Sequence, residues 1–317
     1  MSDKISTKKI NLYGKDTDPK NGVSNEYPTS HYAVRQPCLM YVSAVRNSGK
    51  SFSVSKMINQ AQKENTFDRI YMITPTFLSN KSYFGKFINE ETDVFEPTKD
   101  SIQKVIECVE QERNEFEEYV TKKKDYDEFM KILRSKKDFT DDEIIRFENM
   151  GFLDEYLEEP KWKYKTIRPP QSCVILDDIL SSPAILQSSG LTKIATLNRH
   201  IAPLNEPYGN RSACGLAVIL ISQTYCMPQG VSRTLRENLT HLLLFKNKSE
   251  PQLAKIRMEL GGSVEDEKFM TAYNLAVKEK YGNLLVDFNP KCPTMTFRKN
   301  LNELLIFDTD ANACQCH

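Results

Sequence analysis

Six short apolar runs punctuate the chain from residue 38 onward. They are CLMYVSAV (Cys38–Val45), RIYMIT (Arg69–Thr74), SCVILDDIL (Ser172–Leu180), GLAVILISQ (Gly215–Gln223), HLLLFK (His241–Lys246) and NLLVDF (Asn283–Phe288). Near-continuous rather than alternating apolar character is the pattern of strands covered on both faces. The segments between them are long enough for crossover helices. One is expected immediately after the first run, where Phe52, Val54, Met57, Ile58 and Ala61 fall roughly on one face between Ser51 and Lys63. This alternation predicts an α/β fold with an open, mainly parallel central sheet and helices on both faces.

Three segments break the pattern. Residues 1–36 are polar and punctuated by Gly, Pro, Asn and Ser, so they are expected to form an arm with little core of its own. Residues 301–317 are expected to be a C-terminal tail. A third segment, about 96–170, separates the second and third strands and is expected to be a helical insertion. Within it Ile102, Val105, Ile106, Val109, Phe116, Tyr119 and Val120 keep helical spacing. Charge sets it apart: Ser101–Pro160 holds 10 Lys+Arg against 18 Asp+Glu, whereas Leu191–Leu260 holds 9 against 4. A solvated helical decoration is the ordinary meaning of such a run, and a protein-docking element is the other.

Composition changes this picture little. Hydrophobic residues at 39% and charged residues at 27% are ordinary for a globular chain. A net charge of zero excludes a polycation that coats nucleic acid indiscriminately. No run approaches the 18 or so apolar residues of a membrane span, and the first residues are too polar for a signal peptide. The eight cysteines are scattered, several inside apolar runs, which suits reduced thiols rather than a disulfide framework. Cys314, Cys316 and His317 offer at most three metal ligands at an unusual spacing, and a frayed tail is the expectation there.

Candidate chemistry sits at the ends of the apolar runs. AVRNSGKS, Ala44–Ser51, lies between a predicted strand and a predicted helix, the context in which a phosphate-binding loop works. Ala44, Asn47, Ser48, Gly49, Lys50, Ser51 and Phe52 are the candidate cradle. Loop and helix N–H groups face the β- and γ-phosphates, Gly49 permits close approach, Lys50 reaches the terminal phosphates and Ser51 offers its hydroxyl to Mg²⁺. Ala44 stands where the usual pattern begins with glycine.

In SCVILDD a buried strand delivers two acids at its C-terminal end, where open α/β sheets bind ligands. Asp177 is the candidate partner of Mg²⁺, and Asp178 the candidate base that orients the attacking water. Two acids capping the next helix are the plain alternative. Gln223 ends GLAVILISQ, and a strand inserted between those of Lys50 and Asp177 aims it at the γ-phosphate. Arg199 in TLNRH and Arg236 in VSRTLREN are candidates for a cation supplied to a neighbouring subunit's site, or for surface salt bridges.

AVRNSGKS, then Pro75–Thr76, VILDD, NRH, LISQ, LRENLTHLLLF and YGNLLVDF followed by FRKN occur in an order that resembles the poxvirus-type genome-packaging ATPases of large DNA viruses, within the FtsK/HerA superfamily. The resemblance spans roughly residues 37–300, most of the insertion apart. It implies a three-layer, RecA/FtsK/HerA-like P-loop ATPase core that uses ATP and Mg²⁺ and forms a homo-oligomeric ring. Such a ring drives double-stranded DNA into a capsid. It implies a capsid or portal-vertex partner and work at the assembly site in the host cytoplasm and in the virion. Lys50, Ser51, Asp177, Asp178 and Gln223 map onto its Walker A, Walker B and sensor positions, and Arg199 onto its trans-acting arginine. DNA-gripping candidates are Ala202–Ser212 with Arg211, and Lys246 with Lys248. A helicase of the same superfamily, a P-loop phosphotransferase, and a virion structural protein with a decayed ATPase stay open as alternatives.

Overall fold

A computed structural model describes residues 5–10, 25–27, 29–135, 139–153, 157–225, 231–260 and 264–311. The strands are β1 (Ile5–Lys9), β2 (Leu39–Ser43), β3 (Arg69–Ile73), β4 (Val94–Phe95), β5 (Ser172–Asp177), β6 (Pro203–Tyr208), β7 (Arg211–Ala213), β8 (Leu216–Ser222), β9 (His241–Phe245), β10 (Asn283–Asp287), β11 (Phe297–Lys299) and β12 (Glu303–Phe307). Ten of them build one sheet in the order β1-β12-β11-β10-β9-β2-β8-β5-β3-β4, and β6 and β7 form a separate hairpin.

From β9 to β4 neighbouring strands are parallel. All six apolar runs form strands of this sheet. The last of them, β10, turns out antiparallel to β9 and begins the antiparallel part formed by β10, β11, β12 and β1. Within β2, Leu39 and Tyr41 join one hydrophobic cluster and Met40 and Val42 the other, so the sheet separates two cores. The helix Lys50–Lys63 contributes Val54, Met57 and Ile58 to the second core, alongside Phe77 and Phe84 of the helix Phe77–Phe84. Ile194 of the helix Ser189–Leu197 and Ile256 of Glu250–Leu260 enter the first. The result is a three-layer α/β architecture with its core on both sides of a mostly parallel sheet.

Several expectations need correction. Phe52 does not share the buried face of its helix but is 62% exposed. The N-terminal arm and C-terminal tail both enter the sheet: β1 pairs with β12 from Ile5 opposite Phe307 to Lys9 opposite Glu303. The acidic segment is more than a decoration. Its helix, Ser101–Ser135, buries Ile102, Val105, Ile106 and Val109 in the main core, as a crossover helix must. Then, at about 1.5 Å per residue, it runs on well past the sheet. There Phe129 packs with Phe147 and Phe152 in a small core of their own. At the junction, buried Glu112 accepts from Arg69 at 2.8 Å and from Tyr164 at 2.7 Å, and pairs with Lys163 at 2.7 Å.

Cys38, Cys108, Cys173 and Cys214 are free thiols. Cys292, by contrast, is disulfide-bonded, a departure from the expected reduced state. Cys314, Cys316 and His317 lie outside the described residues.

Candidate nucleotide site

Strand register decides which side chains meet. In the sheet β8 lies between β2 and β5, and Ser43 is level with Ser222 while Asp177 is level with Ile221. The loop after β2 and the acids after β5 therefore stand two strand spacings apart, roughly 10 Å. A lysine side chain spans much of that gap. Lys50 Nζ donates to Asp178 Oδ1 at 3.2 Å and lies 4.0 Å from Asp177 Oδ1.

The loop is shaped by two left-handed residues, Asn47 (φ 61°) and Gly49 (φ 90°), conformations that asparagine tolerates and glycine adopts freely. Ala44 needs no such freedom, because its N–H still donates to Ser222 O at 3.0 Å and prolongs the β2–β8 ladder. The following helix has no acidic residue in its first turn and no side-chain cap at Gly49. Its N-terminal N–H groups and positive dipole end thus remain for an anion. The buried Ser48 Oγ in the loop has no hydrogen-bond partner among the described residues.

Gln223, just past β8, donates from Nε2 to Asp178 Oδ1 at 3.3 Å. Asp178 itself adopts φ 53° immediately after the strand, and its carboxylate meets both Lys50 and Gln223. Asp177 is buried. Asn80, which nothing in the local sequence marks, completes this end of the site. Its Nδ2 donates to Asp177 Oδ2 at 2.7 Å, and its Oδ1 accepts from Ser51 Oγ at 3.3 Å.

Asp177 Oδ1 is buried without a hydrogen bond among the described residues, an expensive condition for a carboxylate oxygen. Burial pushes the Asp177 carboxyl up to about 6, opposed by Lys50 and reinforced by Asp178. Two oxygen donors, that orphaned atom and the Ser51 hydroxyl, suit a hard cation that takes its other ligands from phosphate and water.

No family model matches the chain, and no curated protein matches it. The fold is similar to that of the genome packaging NTPase B204 from Sulfolobus turreted icosahedral virus 2 in complex with ATP-gammaS, at 12% identity over 83% of this chain and 97% of that one, with a TM-score of 0.42. It is also similar to the pCW3 conjugation coupling protein TcpA, at 13% identity over 74% of this chain and 57% of that one, with a TM-score of 0.37. For EssC of Geobacillus thermodenitrificans the figures are 13%, 94%, 47% and 0.36.

The structure keeps some candidates away from this site. Arg199 sits in the turn Asn198–His200. Asn198 Nδ2 ties that turn to Leu216 O at 3.2 Å and Cys38 O at 3.4 Å, at the opposite end of β8 and β2. Its guanidinium is exposed and makes no ion pair among the described residues. Arg236 is engaged internally: its side chain is 8% exposed and holds Glu259 with two bonds of 2.9 and 3.0 Å. Arg211, a candidate for gripping DNA, is buried and donates to the carbonyls of Ala213 and Cys214, which removes it from any such surface. Lys246 and Lys248 are exposed past the end of β9. Among the described residues no helix is long and apolar enough to cross a membrane.

Proposed function

We propose that this chain binds and hydrolyses ATP with Mg²⁺ and, as a homo-oligomeric ring, uses the cycle to drive double-stranded DNA into a viral capsid. The observation that carries the hydrolytic part is the meeting of Lys50, Asp178, Asp177, Ser51 and Gln223 around an orphaned buried carboxylate oxygen. A decayed ATPase has no reason to keep that oxygen buried and unsatisfied. The DNA-driving part rests on the order of the NRH, LISQ and LREN elements and on the exposed Lys246 and Lys248, which offer sequence-independent phosphate contacts.

Ser51 and Asp177 would hold Mg²⁺, which would supply charge neutralisation of the phosphate oxygens. The residues do the rest. Lys50 pairs with Asp178 at 3.2 Å. An arriving triphosphate draws the Lys50 ammonium onto its terminal oxygens and leaves Asp178 free to accept a proton from water. Gln223 then keeps that carboxylate oriented through Nε2. By occupying Asp177 Oδ2, Asn80 leaves Oδ1 as the oxygen available to a cation.

The test is ATP turnover by wild type and Lys50→Ala, with and without duplex DNA. Wild type is expected to be stimulated by DNA, less so as salt rises, while Lys50→Ala falls to background. Equal rates for the two proteins would overturn the proposal. Asn80→Ala is expected to weaken Mg²⁺-dependent ATP binding by roughly 10- to 100-fold, as loss of a ligand's supporting group does. It also removes the bond that lowers the Asp177 pKa, so the acid limb of the binding curve should move to higher pH. An unmoved limb, measured by calorimetric titration between pH 5 and 8, would deny Asn80 that role.

A further inference from the structure

The γ-phosphate end of the candidate site is fixed on the β8–β5 side by Asp177, Asp178 and Gln223, so a nucleoside attached to the other end leaves toward β9 and β10. At that side, an aromatic ring lies against the phosphate-binding loop. Strand β10 is antiparallel and begins at Asn283, level with the last residue of β9, Phe245. The turn just before it, Lys280–Gly282, therefore stands at the same end of the sheet as Gly49. A methyl group placed on Gly49 would meet Tyr281 Cδ1 at 3.3 Å and Tyr281 Cγ at 3.7 Å. Tyr281 is nonetheless 56% exposed, so much of its surface is open to a ligand.

The turn holds this ring in place by means a surface loop does not need. Tyr281 has φ 67°, a left-handed conformation rare for a bulky residue. The next residue must be glycine, since a Cβ on Gly282 would lie 2.3 Å from Ala276 O. Asn283, which is buried, donates from Nδ2 to Tyr281 O at 3.4 Å. Lys299 Nζ pairs with Glu279 Oε1 at 2.9 Å across the base of the turn. Lys280 Nζ lies 4.9 Å from the centre of the Tyr281 ring, which adds a cation beside the path of the phosphates.

We infer that Tyr281 stacks on the base of the bound nucleoside triphosphate and is the residue that distinguishes a nucleotide from a bare polyphosphate. The inference rests on the reading of Lys50 and its loop as a phosphate site. Stacking has no hydrogen-bond code, so the ring favours purines over pyrimidines by surface area and takes adenine and guanine alike.

The test is calorimetric titration of the full chain with ATP, CTP and inorganic tripolyphosphate. Tyr281→Gly relieves the left-handed strain and keeps the turn, so the fold is not the variable, and unfolding curves check this. It is expected to weaken ATP roughly tenfold, about the loss of one base–aromatic stack, and to leave tripolyphosphate unchanged. Tyr281→Phe should bind all three ligands as wild type does, and the preference for ATP over CTP should shrink in Tyr281→Gly. Phe52→Ala is the rival arm, because that ring is exposed near the same loop. Unchanged ATP affinity in Tyr281→Gly, equal losses of ATP and tripolyphosphate, or a loss found in Phe52→Ala instead would each overturn the inference while leaving the phosphate site intact. A wild type that binds neither ATP nor tripolyphosphate would remove the phosphate site itself, and the stacking role with it.

Discussion

Asp177→Asn is expected to abolish ATP turnover and, at the same time, to make the ligand-free protein more stable at pH 7.5. The two effects share one cause. Asp177 is buried at the tip of β5 with one oxygen lacking a hydrogen bond among the described residues, and burial pushes its carboxyl up to about 6 from the ordinary 3.8. A folded-state value above the unfolded one means that the folded protein holds the proton more tightly. The stability this group contributes is therefore fully present below about pH 4 and is lost as pH rises through 6. At pH 7.5 the ionised carboxylate costs about 3 kcal/mol relative to a neutral group in the same place.

Asparagine removes that cost and still accepts from Asn80 through its carbonyl oxygen. In urea denaturation the variant should exceed wild type by roughly 3 kcal/mol at pH 7.5, by less at pH 5.5, and by almost nothing near pH 4. Turnover should fall by ~10³-fold or more, because the neutral amide cannot hold the charge that the reaction requires opposite its phosphates. Mg²⁺ with ATP should raise the stability of wild type far more than that of the variant. A variant less stable than wild type at pH 7.5 would mean that the Asp177 carboxylate is not strained by burial, and the case for a resident cation there would weaken with it.

How much of this site was legible in the sequence differs residue by residue. Lys50, Asp177, Asp178 and Gln223 each end or follow a near-continuous apolar run, and burial on both faces forces such runs to be strands. Their common end of the sheet then follows from the parallel crossovers that long connections impose. Asn80 carried no such signal. It sits in a short helix among polar residues, and only the neighbouring of β3 and β5 brings it to Asp177. Tyr281 lies far from the loop in sequence and reaches it only because β10 reverses direction. Apolar pattern records burial and is silent about strand direction, so β10 was expected to be parallel like the rest.

The edge of the sheet was equally hidden. In β1, ISTKK, four of the five residues are exposed, and an edge strand needs no apolar alternation to bond with its neighbour. The acidic segment misled for a different reason. Its first helical turns belong to the core and its last ones to a separate aromatic cluster, so one continuous amphipathic pattern served two structures.

Arg199→Ala and Lys50→Ala are each expected to be inactive alone and to regain activity when their subunits are mixed. Within one chain Arg199 cannot serve Lys50. The turn Asn198–His200 is tied to the start of β2, whereas Lys50 follows its end, and five residues of strand separate them by roughly 17 Å. An exposed guanidinium on a pinned turn, without an ionic partner among the described residues, is suited to meeting another molecule. In the proposed ring that molecule is the next subunit's nucleotide. Loss of such an arginine costs on the order of 10³–10⁵ in turnover. Random mixing places an intact Lys50 site against an intact Arg199 at about a quarter of interfaces, so recovered activity should approach about a quarter of wild type if interfaces act independently. Arg236→Ala is the contrasting case. Removing it takes from Glu259 its ionic partner in a largely buried pair, so the variant should unfold at lower denaturant, and mixing with Lys50→Ala should not restore that lost stability. If mixing Arg199→Ala with Lys50→Ala restores nothing while size-exclusion chromatography shows mixed rings, Arg199 does not act across the interface.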